Sequence, residues 1–304
     1  MTTNETLSTL PVFYCDHMVA DSGGFSPSAA KPKPVVHSWL AMGAPILVHD
    51  VCPADDDVLC LAHSMDYVRK IFSGQQANGF MNKDVAIAET CRYTVGAMID
   101  AGREAVANGK VAVTPVAGFH HARYAKGAGF CTFNGLVIAA RALKSAGLVD
   151  RVGIVDCDVH FGDGTASLIE LLELGNWLQH YTFGEQPYTT VERSEELFGH
   201  LPSVLKGMSG CDLILYQAGA DPHINDPLGG VMTTGQMLRR DELVFQECKA
   251  MQVPVAWNLA GGYQRDDQHG IRPVLDLHDN TMRACDRCIS VNAKRSQIAR
   301  SSID

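Results

Sequence analysis

The chain has 304 residues, of which 46% are hydrophobic and 19% charged, and its formal net charge is −9. These values are typical of a soluble globular protein that buries a large core, and no repeat or low-complexity tract is present. The negative charge argues against general binding to nucleic acid or to an anionic membrane. It weakly favours a cationic or amine-bearing substrate.

The first ten residues are polar and lack the basic-then-apolar pattern of a signal peptide, and no apolar run reaches the roughly 20 residues of a membrane span. The ten cysteines are scattered, several of them inside apolar runs. These features predict a reducing, cytoplasmic environment. Cys285 and Cys288 form a single CxxC pair, which we interpret as two reduced thiols on a late helix rather than as a redox or metal motif.

The predicted elements alternate between strands and helices in one domain, residues 1–304. Short apolar runs predict strands at residues 12–15, 46–48, 111–116, 152–155, 177–181, 213–216 and 255–259. Longer periodic stretches predict helices at residues 59–72, 86–107, 135–146, 164–174, 194–205 and 236–251. Because the strands are almost continuously apolar, we expect a parallel sheet with helices on both faces. The loop at residues 21–34 is predicted to be a surface excursion.

Polar clusters directly follow four of the predicted strands. They begin at Gly118, Asp156, Gln217 and Ala260. In open α/β sheets, ligand sites lie off the carboxyl ends of the strands. We therefore expect these four segments to form one site.

The segment from Asp156 to His160 is the most informative of the four. Residues two apart in extended backbone point to the same side, so Asp158 and His160 are predicted to bind one metal ion together. A centre of this kind, with open positions for water and substrate, is typical of hydrolytic enzymes. The alternative is a strand end with capping aspartates. Asp221 is a candidate third ligand, or else a turn-forming aspartate.

Two adjacent histidines, His120 and His121, are candidates for an acid and a base. Imidazole needs a partner that fixes its tautomer, usually a carboxylate. Asp156 and Asp163 are the acidic residues left over beside the metal ligands, which fits two His–Asp pairs. Spacing alone does not say which aspartate serves which role.

Two further segments contribute candidates for contact with a substrate. Tyr263 follows two glycines and is a candidate hydrogen-bond donor to a developing oxyanion, or else packs on the rim of the site. Gly129 belongs to a run of small residues that lets a substrate approach the backbone. Phe130 either walls a channel or fills the core.

Together these motifs resemble the zinc-dependent histone deacetylase superfamily, which includes bacterial deacetylase-like proteins and acetylpolyamine amidohydrolases. The matching segments follow one order, at residues 120–122, 129–134, 156–164, 219–221, 226–229 and 261–263. The resemblance implies the arginase–deacetylase fold, which is a single α/β domain with an eight-stranded parallel sheet flanked by helices.

The resemblance also implies the cofactors. One catalytic Zn²⁺ ion is expected on Asp158, His160 and Asp221. A structural monovalent cation such as K⁺ is expected near Asp156, partly held by backbone oxygens.

The same resemblance implies the catalytic pairs, with Asp156 behind His120 and Asp163 behind His121. Tyr263 is expected to stabilise the transition state. The expected substrate-binding residues are Gly129, Phe130, Tyr188, Gly261 and Gly262.

The chain departs from the family pattern in three places. Residues 24–28 stand where the family has a loop with His-Pro-Glu, and Phe161 stands where many eukaryotic relatives have histidine. The stretch 183–213 is shorter, so the second tunnel aromatic is either Tyr188 or Phe183. His223 is predicted to face solvent.

The expected function is zinc-dependent hydrolysis of a linear amide, which releases acetate or another short acyl group from an N-acylated amine. Acetyl-lysine and acetylpolyamines are the expected substrates, without a nucleic-acid or membrane partner. One alternative is a deacetylase-like zinc-binding protein with little turnover. Another is a dimanganese ureohydrolase, which needs more Asp and His ligands. The acyl length, the amine and the formation of a homo-oligomer are left open.

Overall fold

A seven-stranded parallel sheet forms the centre of the fold. The computed structural model describes the backbone of residues 9–300 and the side chains of residues 9–288. The strands are Leu10–Phe13 (β1), Ile46–His49 (β2), Val111–Ala117 (β3), Val152–Asp156 (β4), Leu178–Thr182 (β5), Leu213–Gly219 (β6) and Val255–Ala260 (β7). Their order in the sheet is β2-β1-β3-β7-β6-β4-β5, and every pair is parallel.

All seven predicted strands are confirmed, with small shifts at their ends. The strand number implied by the family resemblance is corrected from eight to seven, because the described residues form a seven-stranded sheet. The seven strands coincide with the seven apolar runs that predict strands, and the longer periodic stretches between them form helices.

Ten helices surround the sheet in the described part of the chain. They are Pro32–Ala41 (α1), Asp56–Leu59 (α2), Met65–Phe72 (α3), Val85–Asn108 (α4), Gly135–Ser145 (α5), Asp163–Leu171 (α6), Val191–Ser194 (α7), Leu197–Gly207 (α8), Thr234–Met251 (α9) and Arg272–Arg300 (α10).

One predicted helix is divided and one begins later than predicted. Of the helix predicted at 59–72, Leu59 ends α2, and α3 begins at Met65 because the Ser64 side chain accepts a hydrogen bond from the N–H of Tyr67. The helix predicted at 194–205 is confirmed as α8, which begins at Leu197, whereas Ser194 ends α7. Helix α1 was not predicted, although Pro32 suits a first helical turn. The late helix is confirmed as α10, and all ten cysteines are free thiols.

The central strands β4, β6 and β7 are buried on both faces, as their apolar sequences predict, whereas the edge strand β2 exposes Leu47 and Val48. In β6, Ile214 and Tyr216 belong to one core with residues of α8, α9 and α10, whereas Leu213 and Leu215 belong to a second core with α4 and α5. Full burial of one such aliphatic side chain stabilises the fold by about 1.5–3 kcal/mol. The strand ends are therefore held between two packed layers.

The sheet order brings the four predicted polar clusters together. Strands β3, β7, β6 and β4 are consecutive neighbours, and each carries one cluster at its carboxyl end. The prediction that the loop at 21–34 is a surface excursion is correct only for its first half. Ser26, Ser28 and Lys31, in its second half, are buried. Of the helices described, none has the length and apolar character that crossing a bilayer requires.

Candidate metal centre

The three predicted metal ligands meet at the ends of two neighbouring strands. Asp158 and His160 follow β4, and Asp221 follows β6. Nδ1 of His160 lies 3.0 Å from Oδ1 of Asp158 and 3.0 Å from Oδ2 of Asp221. The donor atoms of all three residues lie within 4.8 Å of one another. Among the residues with described positions, this is the one cluster of three such side chains with metal-ligand geometry.

The chemistry of this donor set fits a catalytic zinc ion. Zn²⁺ accepts carboxylate oxygens and imidazole nitrogens, and three protein ligands leave a coordination position for water or substrate. Asp158 and Asp221 are both buried. Burial, and then the charge of Asp158, raise the pKa of Asp221. Two carboxylates buried side by side repel each other, and a bound cation relieves that repulsion.

Backbone hydrogen bonds hold the two carboxylates in place. The N–H of His160 donates to Oδ1 of Asp158 over 2.9 Å, and the N–H of Val159 donates to Oδ1 of Asp221 over 3.1 Å. The second bond connects the chain after β4 with the chain after β6. The ligand positions are therefore coupled through the backbone as well as through His160.

A buried lysine and a glycine turn support Asp221 from the side of β7. Gly261 has a φ of +50°, and a Cβ there would lie 2.3 Å from Cγ of Asp221. Its carbonyl accepts a hydrogen bond from Nζ of Lys31, which is fully buried. Burial lowers the pKa of Lys31 to about 8, against the opposing effect of Asp221. Lys31 was missed in the sequence because nothing there distinguishes it from Lys33.

The substrate role predicted for the glycine turn is not supported. Gly261 and Gly262 are both buried, and a Cβ at Gly262 would lie 2.7 Å from a methyl group of Val274. The turn therefore packs against the metal ligand and α10 instead of offering an open backbone surface.

Each predicted histidine pairs with the aspartate that the family resemblance implied. Nδ1 of His120 lies 2.6 Å from Oδ2 of Asp156, and Nδ1 of His121 lies 2.6 Å from Oδ1 of Asp163. A carboxylate only accepts hydrogen bonds, so Nδ1 donates in both pairs and Nε2 is left for other partners. Nε2 of His120 lies 3.7 Å from Oδ1 of Asp158, which places this pair beside the metal ligands.

The two aspartates have different surroundings. Asp156 is fully buried, and its Oδ1 accepts hydrogen bonds from Nε2 of Gln217 and from the N–H of Asp158. Asp163 is partly exposed, and its Oδ2 accepts two hydrogen bonds from the guanidinium of Arg123. Gln217 and Arg123 were not predicted as supporting residues, although Gln217 lies in one of the four polar clusters.

The two histidines have opposite pKa shifts. Burial, and then the charge of His120, lower the pKa of His121. Burial also acts to lower the pKa of His120, but the carboxylates of Asp156 and Asp158 outweigh it and raise the value to about 9. The His121 side chain is 20% exposed and that of His120 is 4% exposed. His121 is therefore the more accessible member of the two.

Tyr263 lies beside the metal ligands with a protonated hydroxyl. Its N–H donates to Oδ2 of Asp226 over 2.7 Å, which fixes the backbone after the glycine turn. Burial raises the pKa of the phenol, and the charges of Asp221 and Asp158 raise it further. The phenol is therefore a hydrogen-bond donor at neutral pH, as its predicted role requires.

Aromatic rings extend from Tyr263 to the surface. The ring centroids of Phe130 and Tyr263 are 5.6 Å apart, and Phe25 stacks on Tyr263 at 5.8 Å. Phe80 contacts Phe130 on the other side at 5.8 Å. Phe25 is 55% exposed and belongs to the segment 24–28, where the chain departs from the family pattern. That departure therefore places an aromatic side chain at the rim beside Tyr263.

Gly129 lies directly against the accessible histidine. Its φ is +50°, and a Cβ there would lie 2.3 Å from Cδ2 of His121. We expect Gly129→Ala to lower kcat/KM by displacing the imidazole, and to cost about 1–2 kcal/mol of stability for the left-handed backbone. Urea unfolding and steady-state kinetics measure the two effects.

Gly43→Ala is the matched control for this prediction. Gly43 has a φ of +73°, but a Cβ there would contact nothing within 4 Å. It should therefore show the backbone cost without the loss of activity. Equal activity in the two variants would contradict the proposed contact with His121.

Two sequence predictions about the rim are wrong. Tyr188 and Phe183 are buried in the core with their ring centroids 5.3 Å apart, and the Tyr188 hydroxyl lies 3.1 Å from Nδ1 of His200. Neither lines a substrate channel. His223 is buried rather than facing solvent, and its Nε2 lies 2.9 Å from Oγ1 of Thr234 at the start of α9.

Comparison with known proteins identifies the family of this chain. A sequence model described as the histone deacetylase domain matches residues 31–173. An uncharacterised protein of Picosynechococcus is 30% identical over 68% of this chain and 75% of its own length. The chain belongs to the histone deacetylase superfamily. The rat polyamine deacetylase HDAC10 is 27% identical over 70% of this chain. The match covers only 42% of the length of that protein.

The fold of this deacetylase-family protein also matches a solved structure. The crystal structure of the HDA15 HD domain superposes with a TM-score of 0.73 at 18% identity, over 92% of this chain and 87% of that one. Since the relatives include deacetylases, hydrolase activity and a metal cofactor are expected of this member.

Proposed function

We propose that this protein is a zinc-dependent amidohydrolase that removes an acetyl or another short acyl group from an N-acylated amine. The observation that carries the proposal is the convergence of three kinds of group at one edge of the sheet. These are the ligand cluster around His160, the two His–Asp pairs and the protonated phenol of Tyr263.

Each group has a defined task in amide hydrolysis. Zinc, when bound by Asp158, His160 and Asp221, supplies Lewis-acid chemistry that acidifies water and polarises an acyl oxygen. His121 accepts a proton from the attacking water through Nε2, while Asp163 holds its Nδ1.

The remaining groups stabilise the charge that develops during the reaction and supply the proton that the departing amine needs. Tyr263 donates a hydrogen bond to the oxygen on which negative charge develops. One of the two histidines, His120 or His121, in its protonated form then returns a proton to the departing amine. The buried carboxylate of Asp156 keeps His120 oriented beside the ligands during this transfer.

The proposed substrates are small acylated amines, with acetyl-lysine and acetylpolyamines as the two classes to compare. The name of the rat relative supports inclusion of polyamines, and the net charge of −9 suits a cationic amine. We propose no nucleic-acid or membrane partner. The K⁺ ion near Asp156 and the cytoplasmic location stay predictions.

The test is amine release from a panel of acetyl- and longer acyl-lysine peptides and acylated polyamines. Protein stripped with a chelator should be inactive and should recover on addition of zinc. Turnover of any member by the zinc-loaded protein, lost on chelation, supports the hydrolase. Tight binding of an acyl-lysine peptide without product would favour the alternative of a binding protein with little turnover.

Metal counting separates the proposal from the ureohydrolase alternative. A dimanganese site needs more Asp and His ligands than the single cluster found in the described residues. One bound ion per chain is therefore expected in elemental analysis. Two ions per chain, with manganese restoring the activity better than zinc, would contradict the proposal.

A further inference from the structure

A buried arginine of α9 contacts both strands that carry the metal ligands. Arg240 is 1% exposed, and its Nη1 donates to the carbonyl oxygen of Cys157 over 3.1 Å and to that of Gly219 over 2.9 Å. Cys157 directly precedes Asp158, and Gly219 lies two residues before Asp221. One nitrogen atom thus connects the ends of β4 and β6 just before the ligands begin.

The two backbones touch at this point. Pairing of β4 with β6 ends at Asp156 and Gln217. Beyond it, a Cβ at Gly219 would lie 2.5 Å from Cα of Asp158, so the two chains are in direct contact. A shift of either chain therefore moves Asp158 relative to Asp221.

Arg240 is paired with its neighbour in sequence. Its Nε donates to Oδ1 of Asp241 over 2.8 Å. Asp241 is also buried, and it accepts hydrogen bonds from the hydroxyl of Tyr216 in β6 and, over 2.6 Å, from that of Thr281 in α10. The carboxylate compensates the charge of the buried guanidinium, and its other two partners connect the pair to β6 and α10.

We propose that Arg240 is a positioning residue for the metal centre, which sets the separation of Asp158 and Asp221 through the carbonyls of Cys157 and Gly219. This inference rests on the proposed function, because it assumes that these ligands bind a metal. The contacts of its guanidinium are with backbone carbonyls and Asp241, so it acts through the strand ends.

The test is the affinity of the full chain for Zn²⁺, measured by competition with a chromophoric chelator. Arg240→Met removes the contacts, whereas Arg240→Lys keeps a cation but loses the forked geometry. We expect Arg240→Met to weaken zinc binding by about 10–100-fold, as loss of an outer-shell partner does. Arg240→Lys should fall between it and the wild type. The visible absorption of the Co²⁺-substituted protein should change in the same order.

Arg92→Met is the matched control. Arg92 donates to the carbonyl of Ala54 and to the carboxylate of Asp56, which are the same kinds of partner as those of Arg240. It should lower thermal stability without changing zinc affinity. An equal loss of affinity in Arg92→Met would overturn the inference, because general destabilisation would then explain both variants.

Three outcomes are decisive. A folded Arg240→Met protein with wild-type zinc affinity and an unchanged Co²⁺ spectrum would overturn the inference. If neither Arg240 variant folds, Thr281→Val takes their place, because it removes one hydrogen bond to Asp241. It should weaken zinc binding about two- to tenfold, which is the net contribution of one hydrogen bond. Unchanged zinc affinity in Thr281→Val would also overturn the inference. Failure of the wild type to bind zinc would instead contradict the proposed function.

Discussion

Replacing Asp158 with alanine is expected to abolish zinc binding and, with it, amide hydrolysis. The carboxylate is one of the three proposed ligands, and its Oδ1 also contacts Nδ1 of His160. Its removal leaves two ligands, fewer than the three protein ligands of catalytic zinc sites. The loss of kcat/KM should far exceed the about 100-fold that loss of an outer-shell partner costs.

Elemental analysis and amine release measure this prediction together. Asp150→Ala is the control, because the Asp150 side chain is 99% exposed and precedes the start of β4, whereas Asp158 and His160 follow the end of that strand. It should keep one zinc ion and wild-type turnover. An Asp158→Ala protein that retained both would show that the ligand set is wrong.

Replacing Tyr263 with phenylalanine is expected to lower kcat by about 10²–10³, the cost of losing one oxyanion donor. The ring contacts with Phe25 and Phe130 do not need the hydroxyl, so the fold and the rim should persist. Zinc affinity should stay unchanged, because Tyr263 is not a ligand. KM should change little, since the phenol acts mainly on the charge that develops in the transition state.

Tyr188→Phe is the matched control for the hydroxyl. Tyr188 is another buried tyrosine, but its hydroxyl lies 3.1 Å from Nδ1 of His200, an exposed residue of α8. It should keep wild-type kcat even if its stability falls. Full activity of zinc-loaded Tyr263→Phe would disprove the role of the phenol, and an equal loss in Tyr188→Phe would point to indirect effects.

The rim beside Tyr263 contains one of the three departures of this sequence from the family pattern. Phe25 stands in the segment that replaces the family's early loop, and it stacks on the proposed oxyanion donor. With Phe130 it gives the entrance an aromatic character. Comparison of peptide and polyamine substrates therefore probes a feature of this chain as well as of the superfamily.

The candidate metal ligands were largely predictable from the sequence because their signals are local. An apolar run predicts a buried strand, and Asp158 and His160 directly follow its last residue, Asp156, although they lie in bends rather than in extended strand. Asp221 was ambiguous from its own segment. The sheet order brings Asp221 beside Asp158 and His160, because β6 lies directly beside β4.

The His–Asp pairs show the limit of local reasoning. Residue counting found two histidines and two spare aspartates, but only the family resemblance proposed a pairing. The structure confirms this pairing. Asp156, the last residue of β4, contacts His120, and Asp163, the first residue of α6, contacts His121. Their catalytic roles stay predictions until the variants are measured.

The sequence by itself determined the fold class, the seven strands and the chemical character of each strand end, because periodicity and composition record burial along the chain. Only the tertiary structure placed Lys31 against Gly261, Arg240 against two strand ends, and Tyr188 in the core. These contacts join residues far apart in sequence. They depend on which strands and helices become neighbours, a property that no local pattern of residues encodes.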